Sequence, residues 1–434
     1  MANTSINDFL GAVALRGISL LKASERNQKP DANTIVELCK RLLSSRGNAS
    51  GLALSFQFWE LYEKLDAPAK EALFIAISAE FSANLEDVAT VATQYIETQS
   101  PEVLKVLSAV AAPKYAELIS RLNQTPASTL KIVHMRSDLL RFLRQNPSLK
   151  PLDEVFSQVL TSWFNRGFLT LQEINWHSPA ILLENVKKYE AVHGIENWND
   201  LARRIQPADR LIYGFFHHNL QDEPLIFVEV ALTTKIPDAI APILEDDRKI
   251  IDPNTATTAA FYSISNCQEG LRGIPLGNFL IKQVVEDLKK RHPQLKEFVT
   301  LSPIVRFGKW MRDDPELAKP LPTTKEEIDA MSPEASKSLL ADAAWFLASE
   351  KAADGKPRDP VCRFHIGNGA RLERLNWAAH FTGTGPANSF AIMANYKYII
   401  DDIEKNHEAF QTAGTVAVAP PIKKQAAQSQ FNKP

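Results

Sequence analysis

From Thr255 to Arg306 the chain reads TATTAAFYSISNCQEGLRGIPLGNFLIKQVVEDLKKRHPQLKEFVTLSPIVR. Residues Thr257 to Ser265 are small, β-branched or aromatic with almost no charge, as a strand buried on both faces requires. Gly270, Gly273 and Gly277 then mark a tight turn. From Asn278 to Arg291 the apolar residues Phe279, Leu280, Ile281, Val284, Val285 and Leu288 recur at helical spacing. Lys289, Lys290 and Arg291 complement the negative end of that helix, and Pro293 stops it. A second strand at Phe298 to Leu301 completes a βαβ unit, whose strands should run parallel.

A helix that starts on such a turn points backbone N–H groups outward, and glycine lets the main chain approach a ligand closely. The turn therefore suits an anion such as a diphosphate, although by shape alone it is equally an ordinary strand-to-helix connection. The chain contains neither a P-loop G-x-x-x-x-G-K-[ST] nor a G-x-G-x-x-G fingerprint. Arg272-Gly273-Ile274-Pro275-Leu276-Gly277 resembles the [QR]-x-x-G-x-[GA] loop that holds coenzyme A in the GNAT superfamily. Pro275 stands at a glycine of that pattern and supplies no N–H, although a helix's first turn tolerates proline well. The longer strings FYSISNCQEGLRGIPLGNFLIKQVV and LSPIVRFGKW resemble the malonyl-CoA decarboxylase family, and the resemblance extends from about Trp163 to Tyr398. It implies an α+β chain: an N-terminal all-α helical bundle followed by a GNAT-like mixed α/β catalytic domain.

The whole chain is consistent with that division. At 434 residues it is long enough for two or three domains with sizeable cores. Lys and Arg number 49 against 51 Asp and Glu, a net charge of −2 that argues against a general nucleic-acid binder and makes any anion site local. Cys39, Cys267 and Cys362 have no disulfide or metal spacing, which suits a reducing cytoplasm. Met1 to Ser19 lacks a signal-peptide apolar run, nothing later is long enough to span a membrane, and the C-terminus carries no peroxisomal tripeptide.

Residues 1–150 read as helical throughout, with Ser100-Pro101-Glu102 and Asn84 as helix starts, and suit a structural or oligomerising role. The cationic run Lys131 to Arg144 reads as a solvated helix face. Pro147 and Pro151 mark the boundary to a domain over 151–410. There, Arg210 to His217 and Leu225 to Leu232 predict a hairpin, and the adjacent His217 and His218 should point to opposite faces, which disfavours a shared metal. Met311 to Thr324 reads as a loop, and Ser332-Pro333-Glu334 opens a helix to about Lys351. CRFHIGNGARLERLNW predicts two strands joined at Gly367-Asn368-Gly369, and Phe390 to Tyr398 a last apolar run. Residues 411–434 read as a disordered tail.

By pattern alone, Ser302 is a turn hydroxyl before Pro303 and His365 a core histidine. The resemblance implies more. The serine of L-S-P-I and the histidine of F-H-x-x-N-G form the family's catalytic pair, so Ser302 and His365 would act on malonyl-CoA in fatty-acid or malonate metabolism. Arg272, Gly273, Ile274, Pro275, Leu276, Gly277 and Asn278 would hold the coenzyme. No metal or organic cofactor is implied, because the thioester is itself the electron sink. A histidine of ordinary pKa, about 6.5, would suit proton transfer at neutral pH. Tyr396 and Tyr398 are pocket or core aromatics. Malonyl-CoA would be the sole partner besides further copies of the chain assembling through the helical domain. Two other readings stay open: an acyltransferase serving an amine or carrier protein, and a silent coenzyme A-binding scaffold.

Overall fold

The structure, a computed structural model, describes residues 31–220, 222–274, 276, 280–313 and 321–432. Pro275, Gly277 and Asn278 of the predicted loop lie outside them, as do the first thirty residues and 314–320 of the expected Met311 to Thr324 loop. The chain forms two compact units: one from residues 1–169 with 217–221 and 268–275, the other from the remainder.

In the first unit, side-chain caps start the helices, at Asn84 and Ser100 where the sequence places them. Asp31 accepts the Thr34 N–H at the head of Ala32–Ser44, Asn84 caps Leu85–Thr98, and Ser100 caps Pro101–Ala111 with proline in the first turn. Leu73, Phe74 and Ile77 of Ala67–Glu80 are buried, as their spacing predicts. The two prolines near residue 150 do not end this unit. Pro147–Leu149 forms a single 3-10 turn, and Lys150–Trp163 follows with Pro151 in its first turn, where a missing N–H is harmless. Leu152, Phe156 and Leu160 of that helix are buried. The cationic run is not a wholly solvated face either: the helix Ser128–Phe142 buries Ile132, Val133, Met135, Leu139 and also Arg136.

The sheet runs β1 (Leu169–Ile174), β2 (Arg210–His217), β3 (Ile226–Thr233), β4 (Thr258–Asn266), β5 (Glu297–Thr300), β6 (Ser302–Pro303), β7 (Arg371–Asn376) and β8 (Met393–Lys397) along the chain. Its spatial order is β1-β2-β3-β4-β5-β8-β6, with β7 also on β8. The expected hairpin is present: β2 pairs antiparallel with β3, which pairs antiparallel with β4. The expected parallel pair is present too, from Thr258 opposite Glu297 to Phe261 opposite Thr300. Among the described residues, no helix is long and apolar enough to cross a membrane.

Two further expectations fail. The segment before Gly367 is not a strand but the helix Pro360–Gly367, so no hairpin turns at Gly367-Asn368-Gly369. Asp359-Pro360 explains this, since a capping carboxylate followed by a first-turn proline outweighs the β preference of the following residues. Gly369 then turns the chain with φ of +81°, its Cα packed so close that a Cβ would lie 2.2 Å from the Ile403 carbonyl. Nor is the tail disordered through 432. Pro420–Ala426 is a helix with Ile422 and Ala426 buried, and the Ser429 hydroxyl and Gln430 amide both donate to the buried Asp342. The Phe431 ring lies 4.7 Å from that of Trp310. A polar average hid these few apolar anchors. Ile422→Ala should therefore cost about 2–4 kcal/mol in urea unfolding, a range set by buried large-to-small changes; an unmoved midpoint would mean the helix contributes nothing.

Candidate active site

The ladder between β4 and β5 ends at Phe261 and Thr300, with one further bond from the Leu301 N–H to the Phe261 carbonyl. Beyond it β4 continues on β3, while Ser302 and Pro303 turn to pair with Ala394 and Met393 of β8. The strands thus part, and a cavity of about 310 Å3 opens at the parting. Phe261, Ser263 and Asn266 line it from β4, Ser302 from β6, and Phe364 and His365 from the helix Pro360–Gly367. Such crevices, where neighbouring strands separate, are where open sheets bind ligands.

Ser302 and His365, 63 residues apart in sequence, meet in this cavity: Oγ lies 3.0 Å from Nε2, and both residues are buried. Asp359 fixes that distance. Its Oδ1 accepts the N–H groups of Val361 and Cys362, capping the helix, and its Oδ2 accepts those of Val305 and Arg306, just past Ser302. The imidazole is held on both remaining sides. Tyr398 places its hydroxyl 2.9 Å from Nδ1, and the Tyr396 ring stacks on it at 4.7 Å with a 26° tilt. The serine hydroxyl donates to Thr300 Oγ1 at 2.8 Å. That serine proton is then not available to the imidazole, so Nε2 carries the ring proton toward Ser302 and Nδ1 accepts from Tyr398.

Burial changes the expected titration. Stripped of water, His365 has its pKa pushed down to about 3, so the ring is neutral at physiological pH rather than poised near neutrality. Burial likewise pushes the Tyr398 hydroxyl up, which keeps its proton in place. The sequence offers Tyr398 only as a pocket or core aromatic and does not single out Asp359; the Asp-Pro pair before a helix is the available sign of the latter.

Of the predicted coenzyme loop, Arg272, Gly273 and Ile274 lie in the helical unit, after the short turn Glu269–Leu271. Gly273 has φ of +83° and open space where a side chain would stand. The Arg272 side chain is 63% exposed, with Nη1 3.8 Å from Glu269. Leu276 is half-buried, and the other predicted loop residues are not described. His217 and His218 do not point apart as expected: their ring centroids are 4.3 Å apart, because His217 ends β2 and His218 already lies in the turn.

A mixed sheet that opens at a parallel strand pair over a buried serine and imidazole is the arrangement of an α+β enzyme with its site in the sheet crevice. The family can be stated more closely. Residues 167–433 match the malonyl-CoA decarboxylase C-terminal domain, and residues 81–164 the malonyl-CoA decarboxylase N-terminal domain. The mitochondrial malonyl-CoA decarboxylase of Anser anser anser is 33% identical over 403 residues, 82% of this chain and 80% of that one. The crystal structure of malonyl-CoA decarboxylase from Rhodopseudomonas palustris superposes with a TM-score of 0.84 at 43% identity, covering 91% of this chain and 99% of its own. That from Agrobacterium vitis gives 0.83 at 45% identity, with 90% and 99% covered. The chain belongs to the malonyl-CoA decarboxylase family.

The neutral histidine has a thermodynamic signature. Between its ordinary pKa of 6.5 and its folded value of about 3, the unfolded chain binds a proton at this site that the folded chain does not. Stability contributed here therefore rises with pH and is lost as pH falls through that window. Compared with His365→Asn, the wild type should lose stability on acidification from pH 7 to 4, approaching about 1.4 kcal/mol per pH unit. A difference in unfolding free energy that stays constant over this range would mean that the imidazole is not buried neutral.

Proposed function

We propose that this chain converts malonyl-CoA to acetyl-CoA and carbon dioxide, with Ser302 and His365 as its catalytic pair. The carrying observation is the 3.0 Å contact between Ser302 Oγ and His365 Nε2 inside a cavity whose walls include Val192, Phe261, Ile264, Val361 and Phe364. The malonyl carboxylate leaves as carbon dioxide when its C–C bond stands perpendicular to the thioester carbonyl, and the electron pair passes into that carbonyl as an enolate. The thioester is the electron sink, so the reaction as proposed uses no metal and no organic cofactor.

Three tasks remain for the protein. The Ser302 hydroxyl turns its proton from Thr300 to the incoming carboxylate, and so hydrogen-bonds and orients it. Amides of β4 beyond Phe261, where its ladder with β5 has ended, meet the enolate oxygen, a contribution of about 3 kcal/mol per donor in comparable sites. The apolar walls disfavour the localised carboxylate relative to the dispersed transition state. His365 then protonates carbon from Nε2. A neutral imidazole can do so because a thioester enolate is strongly basic, and the Tyr398 hydroxyl, whose own proton burial keeps in place, hydrogen-bonds Nδ1 and steadies the ring as Nε2 gives its proton up. One proton from solvent closes the balance. At the other end of the substrate, Arg272, Gly273, Ile274, Pro275, Leu276, Gly277 and Asn278 receive the diphosphate; the exposed Arg272 guanidinium and the open face of Gly273 support this.

Assembly through the helical unit, with a second copy as partner, is supported by two helices. Leu85–Thr98 and Pro101–Ala111 bury no residue and expose Leu85, Ile96, Leu104 and Val106. The free, buried Cys39, Cys267 and Cys362 support a reducing compartment such as the cytoplasm.

Purified protein incubated with malonyl-CoA alone should release acetyl-CoA; product that appears only with an added amine would identify an acyltransferase, and binding without turnover a scaffold. Ser302→Ala and His365→Asn should each lower kcat at least about a hundredfold. Tyr398→Phe should lower kcat about tenfold at unchanged KM, as expected for a group that acts through the imidazole. Wild-type turnover in the serine or histidine variant would remove the pair from the mechanism. Arg272→Ala should chiefly raise KM, because it removes binding common to ground and transition states.

A further inference from the structure

Arg136 is a buried arginine in the helical unit that no part of the reaction explains. It sits in the cationic helix Ser128–Phe142 with its side chain only 4% exposed. Its Nε donates to Asp153 at 2.8 Å, from the neighbouring helix Lys150–Trp163. Its Nη1 donates to the carbonyls of both Gly270 and Arg272, at 2.8 and 3.0 Å. The same turn is gripped a second way. Gly270 lies so close to the helix that a Cβ there would stand 1.8 Å from the Val133 carbonyl, and the Ser137 hydroxyl donates to Glu269.

From this geometry we infer that Arg136 is a positioning residue for substrate binding. It holds the Gly270 to Arg272 backbone so that the Arg272 side chain and the main chain at Gly273 and Ile274 stay presented to the coenzyme diphosphate. This inference rests on the reading of that loop as the diphosphate site. Two bonds from one nitrogen to carbonyls two residues apart set the path of the turn, not merely its attachment. The guanidinium suits this because its donors form a rigid fork, which a lysine ammonium does not reproduce. Any rearrangement of the helix Ser128–Phe142 would thereby reach the affinity for the coenzyme diphosphate.

The test compares malonyl-CoA with malonyl-pantetheine, which carries the same thioester but no diphosphate. Arg136→Lys and, from the loop side, Gly270→Ala should each reduce the ratio of kcat/KM for malonyl-CoA to that for malonyl-pantetheine at least about tenfold. The loss should lie in KM. A merely structural role would lower both substrates alike and leave the ratio unchanged, which would overturn the inference. Arg272→Ala is measured beside them. A fallen ratio in Arg272→Ala with the wild-type ratio in both other variants would overturn the role of Arg136 alone. A wild-type ratio in Arg272→Ala would overturn the loop reading itself, and this inference with it.

Discussion

The site depends on one buried carboxylate. Asp359 accepts four backbone N–H groups, two from the first turn of its own helix and two from the segment that follows Ser302. Burial pushes its pKa up while those amides pull it down, and the bonds themselves require the lone pairs it offers on both oxygens. Serine and histidine come from elements with no sequence proximity, one on the short strand β6 and one on a helix. Without a shared anchor, a shift of 1 Å between those elements would break the 3.0 Å contact, and side chains alone rarely hold such tolerances. Because the carboxylate binds main-chain N–H groups on both sides, it fixes the backbones that carry the two side chains relative to each other.

Burial of the pair has a second consequence. A solvated histidine would titrate near neutrality and alternate between donor and acceptor; here desolvation keeps the ring neutral, and its contacts on both nitrogens set which one bears hydrogen. Tyr398 contributes because its own proton is held by burial. The Ser302, Thr300, His365 and Tyr398 side chains thus form one directed chain of hydrogen bonds beside an apolar cavity, which suits delivery of a proton to a carbanion better than removal of one from an alcohol nucleophile.

Much of this was legible in the sequence because it was written in local patterns. The uncharged strand from Thr257, the glycine-marked turn and the helix to Arg291 each carry their own periodicity, and β4, β5 and the helix Leu280–Arg291 lie where those patterns put them. Ser302 and His365 could be paired only by resemblance, since pattern alone cannot bring residues 63 apart into contact. The helix Pro360–Gly367 was misread because Val361, Cys362 and Phe364 suit a strand, while the cap that decides the matter is a single residue, Asp359. The tail was misread because burial there depends on a surface formed by Trp310, Trp345 and Asp342, far away in sequence.

Arg136 shows why a charge pattern can mislead. Counted along the chain, it is one of several cations on a helix, and a solvated face is the ordinary outcome. Yet burying a guanidinium is costly unless its donors are satisfied, and here Asp153 and two main-chain carbonyls satisfy them. An apolar side chain at this position would leave those carbonyls without a donor, in a turn that has already given up side-chain packing at Gly270 and Gly273. The turn is thus held from the side of the helix Ser128–Phe142, by Arg136 and by the close approach of Gly270 to Val133.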